Sequence, residues 1–189
     1  MPKLIYYLPG RGGILSTGLG NALVMRGFDI VGRETVGEFR TLTFSEQISI
    51  VADDIKDNFW SEDAYVIANS FGAYIFLNAQ QFLPPFIGNV LLLSPIVGEF
   101  SNAETRTAFI PPHSGKLFEL MQSGNYPTPL NCEIHVGEQD WQSDPTNVAA
   151  FAGQLGIPFY LVPNCGHRLD KAYVTSILDR WLPATKYAN

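Results

Sequence analysis

Short runs of apolar, β-branched and aromatic residues alternate along the chain with longer segments in which apolar residues recur every three or four positions. The first pattern is typical of buried strands and the second of amphipathic helices. We predict strands over six such runs, which are Leu4–Leu8, Phe28–Val31, Ala64–Ala68, Val90–Leu93, Cys132–Val136 and Phe159–Val162. The run Val90–Leu93 is apolar throughout, as in a strand that is covered on both faces.

Helices are predicted in the segments between these strands. The segment from Ser45 to Phe59 shows the pattern most clearly, because Ile48, Val51 and Ile55 fall on one helical face. The spacing also predicts helices over Ile14–Arg26, Ala73–Phe82, Lys116–Gln122, Thr146–Leu155 and Lys171–Trp181, and a loop over Gly32–Arg40. This alternation favours an α/β fold, a three-layer sandwich with helices on both sides of a mainly parallel sheet of about six strands.

Length and composition predict one domain with a well-buried interior. The chain has 189 residues, of which 46% are hydrophobic and 16% are charged. The charged fraction lies below the ~25% of an average domain, which excludes intrinsic disorder. Residues 99–131 differ from the rest of the chain because they contain several prolines and a single helix candidate. We expect a small insert there within a single domain over residues 1–189.

The charge balance excludes several classes of partner. The net charge is −6 and basic residues form no run, which argues against nucleic acid and against an anionic membrane surface. No apolar run approaches the ~20 residues of a membrane-spanning helix. The first ten residues lack the features of a signal peptide and form a predicted strand instead. We therefore expect a cytoplasmic protein whose partner is a small molecule, and the sequence leaves its oligomeric state open.

The sharpest chemical signal is Ala68-Asn69-Ser70-Phe71-Gly72, which lies between a predicted strand and a predicted helix. A serine on such a tight strand-to-helix turn is exposed above the sheet, and small residues two positions to either side relieve backbone crowding. Ala68 stands where glycine is usual, and Gly72 keeps the pattern. The alternative is an ordinary turn that happens to carry a polar residue.

Two further candidates follow predicted strands. Asp140 comes after Cys132–Val136, and His167 comes after Phe159–Val162. Because the carboxyl ends of parallel strands meet at one edge of a sheet, we expect both side chains near Ser70. The order serine, acid, histidine along the chain is that of one hydrolase architecture. Other acids remain open for the middle position, namely Glu138, Asp144 and Glu99.

With these motifs the chain resembles the α/β-hydrolase superfamily, over nearly its whole length from Leu4 to the last helix. The resemblance implies that Ser70 is the nucleophile, that His167 is the general base, and that Asp140 orients His167. It also implies a serine hydrolase that acts on a small carboxylic ester or thioester through an acyl-enzyme, without a cofactor.

The same resemblance implies an oxyanion hole. One backbone N–H comes from Phe71, the residue after the nucleophile, and the other comes from the turn after the first strand. Many relatives have His-Gly at this turn, whereas this chain has Pro9-Gly10. The second donor is therefore the N–H of Arg11 or that of Gly12.

Residues 99–131 are expected to cover the carboxyl edge of the sheet as a small lid. A small lid favours a short or modest acyl group. The candidate substrate contacts are Phe100, Phe109, Ile110, Met121 and Trp141.

Two other functions are open. A catalytically silent binding protein can share this fold. An NAD(P)-binding protein is suggested by Gly10-Arg11-Gly12 with Glu34 placed 22 residues beyond Gly12, although Leu15 occupies the third glycine position. The three histidines have no acid cluster at ligand spacing, so no metal site is predicted. His135 is expected to be a structural histidine within its strand.

Overall fold

The computed structural model describes residues 4–104 and 106–184. The strands are β1 (Leu4–Leu8), β2 (Asp29–Gly32), β3 (Tyr65–Asn69), β4 (Asn89–Leu93), β5 (Phe100–Asn102), β6 (Thr107–Phe109), β7 (Asn131–Gly137) and β8 (Phe159–Val162). Six of them form a sheet in the order β2-β1-β3-β4-β7-β8, in which every pair of neighbours is parallel. The predicted mainly parallel six-stranded sheet is confirmed.

The helices are α1 (Gly18–Val24), α2 (Gly37–Thr41), α3 (Phe44–Asn58), α4 (Phe71–Gln80), α5 (Lys116–Gln122), α6 (Pro145–Leu155) and α7 (Lys171–Trp181). Several begin at residues that satisfy their free N–H groups. The Thr43 hydroxyl accepts from the Glu46 N–H while the Glu46 carboxylate accepts from Thr43, a capping box that starts α3. Asp144 and Asp170 cap α6 and α7 in the same sense.

Helices cover both faces of the sheet, because successive side chains of a strand point to opposite faces. Tyr6 and Leu8 of β1 belong to the larger apolar cluster, which α3, α4 and α6 cover. Ile5 and Tyr7 belong to a second cluster on the other face, which α1 and α7 cover. The carboxyl ends of β3, β4, β7 and β8 consequently form one open edge between the two helical layers.

Three predicted elements differ from the structure. Residues 14–17 are not helical, and α1 begins only at Gly18, because the preceding residues form a turn that Thr35 holds by hydrogen bonds to Gly10 and Gly13. The segment Gly32–Arg40, predicted as a loop, ends in the short helix α2. The insert contains an unpredicted antiparallel hairpin, β5–β6, whose three-residue strands are too short to show an alternating pattern.

The rest of the insert packs into the body of the protein. Leu117 and Met121 of α5 are buried in the same apolar cluster as Val148 and Phe151 of α6. The part of the insert that contains α5 therefore belongs to the hydrophobic core and packs beside α6. The hairpin β5–β6 is the half that reaches the neighbourhood of Ser70, through the contact of Phe109 with Phe71.

Candidate active site

Ser70 occupies a strained turn between β3 and α4. Its φ of 53° and ψ of −119° lie where L-residues are rare, and the strand-to-helix turn predicted from the sequence has this geometry. The Ser70 N–H donates to the Leu93 carbonyl, and the Ser70 carbonyl accepts from Tyr74 N–H and Ile96 N–H. These bonds on both sides hold the turn in its strained conformation.

Close backbone approach explains the small residues around Ser70. A Cβ on Gly72 would overlap the carbonyl oxygens of Leu8 and Pro9, so only glycine fits. Ala68 is fully buried in β3, where its methyl group is accommodated in the core. The departure from the usual glycine at that position therefore leaves the turn intact.

His167 and Asp140 meet Ser70 at the open edge of the sheet. Ser70 Oγ lies 2.7 Å from His167 Nε2. His167 Nδ1 lies 3.0 Å from each carboxylate oxygen of Asp140. Asp140 is only 2% exposed, so its charge is shielded from water and held against the imidazole. The three residues form one continuous hydrogen-bonded chain.

The loops that carry the acid and the histidine are locked together by backbone contacts. Gly137 ends β7, and a Cβ there would overlap the carbonyl oxygens of Cys165 and Gly166. The Gln139 N–H donates to the Cys165 carbonyl at 2.8 Å, and the Glu138 N–H donates to the Val162 carbonyl at 2.9 Å. The distance between Asp140 and His167 is thus fixed by the backbone itself.

The Asp140 carboxylate is also fixed from behind. Its Oδ1 accepts from the N–H groups of Gln142 and Ser143, at 3.0 and 2.9 Å. The Ser143 hydroxyl donates to the Ser94 carbonyl at 2.7 Å, which ties the Asp140 loop to the end of β4. Ser94 itself has a φ of 44°, and its buried hydroxyl has no partner among the described residues.

The alternative acids lie elsewhere in the fold. Glu138 accepts from the Asn164 N–H at 3.1 Å, and Asp144 caps α6. Glu99 lines a smaller cavity of about 290 Å³ between the insert and the start of α6, and neither Ser70 nor His167 lines that cavity. Among the four candidates, the structure brings only Asp140 to His167.

The turn after β1 faces Ser70. The Gly13 N–H donates to the Gly10 carbonyl, and Gly12 has a φ of 76°, as at the third position of a type II turn. In the described part of the chain, no hydrogen bond uses the N–H of Phe71, Arg11 or Gly12 as its donor. All three predicted oxyanion-hole N–H groups are therefore without an acceptor among the described residues.

A cleft of about 1240 Å³ opens beside Ser70 and His167. Its walls are the turn after β1, helix α1, the residues that follow β3, β4 and β8, and the first half of α7. Sequence reasoning missed the contribution of α1 and α7. Helical periodicity identifies the buried face of each helix but not the cleft that the two helices flank.

The five predicted substrate contacts lie outside the lining of this cleft. Met121 is buried in the core and Ile110 is 70% exposed. The aromatic residues are nearer. The Phe109 ring packs against those of Phe71 and Phe100, and Phe100 also packs against Trp141. The structure therefore places Phe109 next to the residue that follows Ser70.

The other sequence candidates take structural positions. His135 is 1% exposed and is bonded to Tyr173 and Glu133, as expected for a histidine within the sheet. Glu34 accepts from the Leu15 N–H at 2.9 Å, which ties it to the loop after β1. Cys132 and Cys165 are buried free thiols. In residues 4–104 and 106–184, no group of three or more His, Cys, Asp or Glu side chains could hold a metal ion.

Comparisons with known proteins identify the fold. No protein-family model matches the sequence, and no curated protein matches it. Among solved structures, the ydeN gene product from B. subtilis is similar with a TM-score of 0.65 and 12% identity, over 94% of this chain and 97% of that one. The mouse alpha/beta hydrolase domain-containing protein 10 is similar with a TM-score of 0.65 and 14% identity, over 95% and 90%.

A third similar structure, from work on carboxylesterases of the thaumarchaeon Nitrososphaera gargenis, has a TM-score of 0.60 and 12% identity, over 95% of this chain and 89% of that one. Sequence identities this low establish the architecture alone. No helix in the described ranges is long and apolar enough to cross a membrane.

Proposed function

We propose that this chain, which has the α/β-hydrolase fold, is a serine hydrolase that cleaves a small carboxylic ester or thioester. The observation that carries the proposal is the chain of hydrogen-bonding distances, 2.7 Å from Ser70 Oγ to His167 Nε2 and 3.0 Å from His167 Nδ1 to Asp140. A nucleophile, a base within reach of it, and a third group that orients the base make up the arrangement that activates a serine.

In the first half-reaction, the His167 tautomer with its proton on Nδ1 accepts the Ser70 hydroxyl proton at Nε2. The Ser70 oxygen attacks the carbonyl carbon of the ester. Asp140 stabilises the imidazolium that forms, and its own position is held by the Gln142 and Ser143 N–H groups. The imidazolium then gives its proton to the departing alcohol or thiol, which leaves an acyl group on Ser70.

In the second half-reaction, water replaces the alcohol. His167 accepts a proton from the water molecule, whose oxygen attacks the acyl carbon, and the proton returns to Ser70 as the acid departs. In each tetrahedral intermediate the negative oxygen accepts from the N–H of Phe71 and from that of Arg11 or Gly12. One such donor typically contributes about 10²–10³-fold in rate.

Esters are a less demanding substrate class than amides, because an alcohol leaves the tetrahedral intermediate more readily than an amine does. The similar structure from the Nitrososphaera work concerns carboxylesterases, which agrees with this substrate class. We further propose that the hairpin β5–β6 acts as the lid, since Phe109 contacts Phe71 beside the nucleophile.

Fluorophosphonate labelling followed by peptide mass analysis tests the proposal, because only an activated serine reacts readily. We expect the label on Ser70 of the wild type. We expect none on Ser70→Ala and a strongly reduced rate on His167→Ala. A surface change such as Ser176→Ala serves as the control, because the exposed Ser176 hydroxyl lies on α7 and donates to the Tyr173 carbonyl of the same helix.

Absence of label on Ser70 in folded wild-type protein would contradict the proposal and favour a catalytically silent binding protein. Thermal unfolding with and without NAD(P) would then test the nucleotide-binding alternative. A ligand at 100 Kd adds about 2.7 kcal/mol of stability, so a bound nucleotide would raise Tm.

A further inference from the structure

The cleft beside Ser70 has an unusual charge. Four cationic side chains line it, those of Arg11, Arg26, Arg168 and Lys171, and its lining in the described chain contains no Asp or Glu. The protein as a whole has 18 acidic and 12 basic residues. A third of its basic side chains therefore line a single cleft, and no acidic side chain of the described residues lines it.

Three of the four cations form no ion pair with a carboxylate among the described residues. Arg26 pairs with Asp179 at 3.2 Å. No ion pair within residues 4–104 and 106–184 includes Arg11, Arg168 or Lys171. Arg11 instead places its guanidinium 5.3 Å from the centre of the Phe109 ring. The positive charge at the cleft is thus available to a ligand.

The three cations come from two separate segments of the cleft lining, the turn after β1 and the segment that follows His167. Arg11 lies in the turn whose Gly10 faces Ser70. Arg168 directly follows His167, and Lys171 is the first residue of α7. A cleft with walls of one charge concentrates ligands of the opposite charge. A molecule whose ester carbonyl lies at Ser70 has these cations within the same cleft.

The cleft lining also contains apolar side chains, among them Leu19 on α1 and Val174 and Leu178 on α7. Apolar lining of this kind suits a short hydrocarbon segment of a ligand.

We propose that the substrate is an anionic ester, which carries a carboxylate or a phosphate that binds to Arg168 and Lys171 while its carbonyl lies at Ser70. This inference rests on the proposed hydrolase function and names the substrate class of that same site.

Matched ester pairs test the anion preference. The first pair is para-nitrophenyl hydrogen glutarate and para-nitrophenyl valerate, which differ by a carboxylate on the acyl side. The second pair is para-acetoxybenzoate and its methyl ester, which differ by a carboxylate on the alcohol side, and para-acetoxyphenyl phosphate extends this arm to a phosphate. The readout is the ratio of kcat/KM for the anionic ester to that for its neutral partner.

We expect the wild type to prefer the anionic member of at least one pair. Replacing both cations in Arg168→Gln with Lys171→Gln should lower that ratio about tenfold, mainly through KM, which corresponds to about 1.4 kcal/mol. The control is Arg40→Gln with Lys56→Gln. It removes the same two charges from α2 and α3, and neither residue lines the cleft.

Ionic strength supplies a second readout. Between about 0.01 M and about 1 M salt the Debye length falls from about 30 Å to about 3 Å, so the wild-type preference should shrink and that of the double variant should change little. Ratios at or below one in both pairs, or an equal loss of preference in the control, would overturn the anionic-substrate proposal alone. A wild type that hydrolyses neither neutral nor anionic esters would remove the hydrolase function and this inference with it.

Discussion

Gly10 lies directly beside Ser70. A Cβ built on Gly10 would lie 3.2 Å from Ser70 Cβ and 3.6 Å from Ser70 Oγ. It would also lie 3.1 Å from the side-chain nitrogen of Asn69. The absence of a side chain at position 10 thus leaves space beside the Ser70 side chain.

Gly10→Ala should therefore lower activity without unfolding the protein. The added methyl group must displace Ser70 or Asn69 by a few tenths of an ångström, and misplacement of reacting atoms is costly in rate. We expect kcat/KM for a neutral nitrophenyl ester to fall about tenfold. Gly153→Ala on α6 is the matched control, since nothing lies within 4 Å of the Cβ position there. Equal activities for the two variants would contradict this view of Gly10.

Asp140→Asn should abolish most of the turnover. An asparagine can still accept the N–H groups of Gln142 and Ser143, but its NH₂ group facing His167 favours the wrong imidazole tautomer. We expect kcat to fall by about 10⁴-fold, with a circular dichroism spectrum like that of the wild type. Glu138→Gln tests the neighbouring acid and should change kcat less than about twofold, because the Glu138 carboxylate accepts the Asn164 N–H and bonds neither Ser70 nor His167. A larger loss of kcat in Glu138→Gln than in Asp140→Asn would mean that Glu138, and not Asp140, is the acid that orients His167.

Ser143→Ala should weaken the support of the acid loop. The lost hydroxyl bonds the Ser94 carbonyl in a buried setting, so its removal should cost about 1–3 kcal/mol of unfolding free energy. We expect kcat to fall more than KM changes, because Asp140 loses a neighbour that fixes its loop. Ser176→Ala removes a similar but exposed hydroxyl–carbonyl bond and should leave both quantities nearly unchanged. Urea unfolding and steady-state kinetics measure the two effects.

Phe109 and Ile110 are adjacent but should behave differently. The Phe109 ring contacts Phe71, and the Arg11 guanidinium lies over it, whereas Ile110 is 70% exposed. We expect Phe109→Ala to raise KM for esters several-fold and Ile110→Ala to leave KM within about twofold. A series of esters with increasing acyl length measures this. The reverse order of effects would mean that the hairpin closes over the site with its other face.

His135 should make stability depend on pH. Burial lowers its pKa below the ordinary value of 6.5, although Glu133 beside it acts in the opposite direction. Tyr160, Tyr173 and Arg180 complete its surroundings. The folded chain therefore keeps this histidine neutral as the pH falls below 6.5, while the unfolded chain takes up a proton. Stability is fully present above that pH and is lost as the pH falls through the lowered value.

His135→Gln removes this titration. Between pH 7 and pH 5 the wild type should lose stability with a slope of up to about 1.4 kcal/mol per pH unit from this group, and the variant should show a shallower slope. Urea unfolding at several pH values compares them. Both proteins contain His113 and His167, so a difference between their two slopes reports on His135 alone. Parallel curves would show that His135 does not titrate differently in the two states.

The order of elements and the residues at strand ends could be predicted from sequence. Strand-forming runs that alternate with helical periodicity predict a parallel sheet, and Ser70, Asp140 and His167 each follow such a run. Their meeting at one edge is a consequence of parallel strands. The tight contacts between loops could not be predicted. Gly137 shows in the sequence only as a turn residue, whereas in the structure it allows the acid loop to press against Cys165 and Gly166.

The position of the cleft could not be predicted either. The insert with its aromatic residues looks like a substrate wall in the sequence, but half of it enters the core through Leu117 and Met121. The cleft lies instead between α1 and α7, which are more than 140 residues apart in the chain. Periodicity within one helix contains no information about which distant helix shares its border.

The parallel sheet also determines when this site can exist during synthesis. Ser70 and His167 are 97 positions apart, and the strands that carry Asp140 and His167 towards the serine are the last two of the sheet. Parallel pairing needs a complete crossover before each new strand can dock. A ribosome that adds about 5–20 residues per second makes the serine roughly 5–20 s before the histidine. Ser70 is therefore synthesised well before Asp140 and His167, and the three residues can meet only after the last two strands of the sheet have been made.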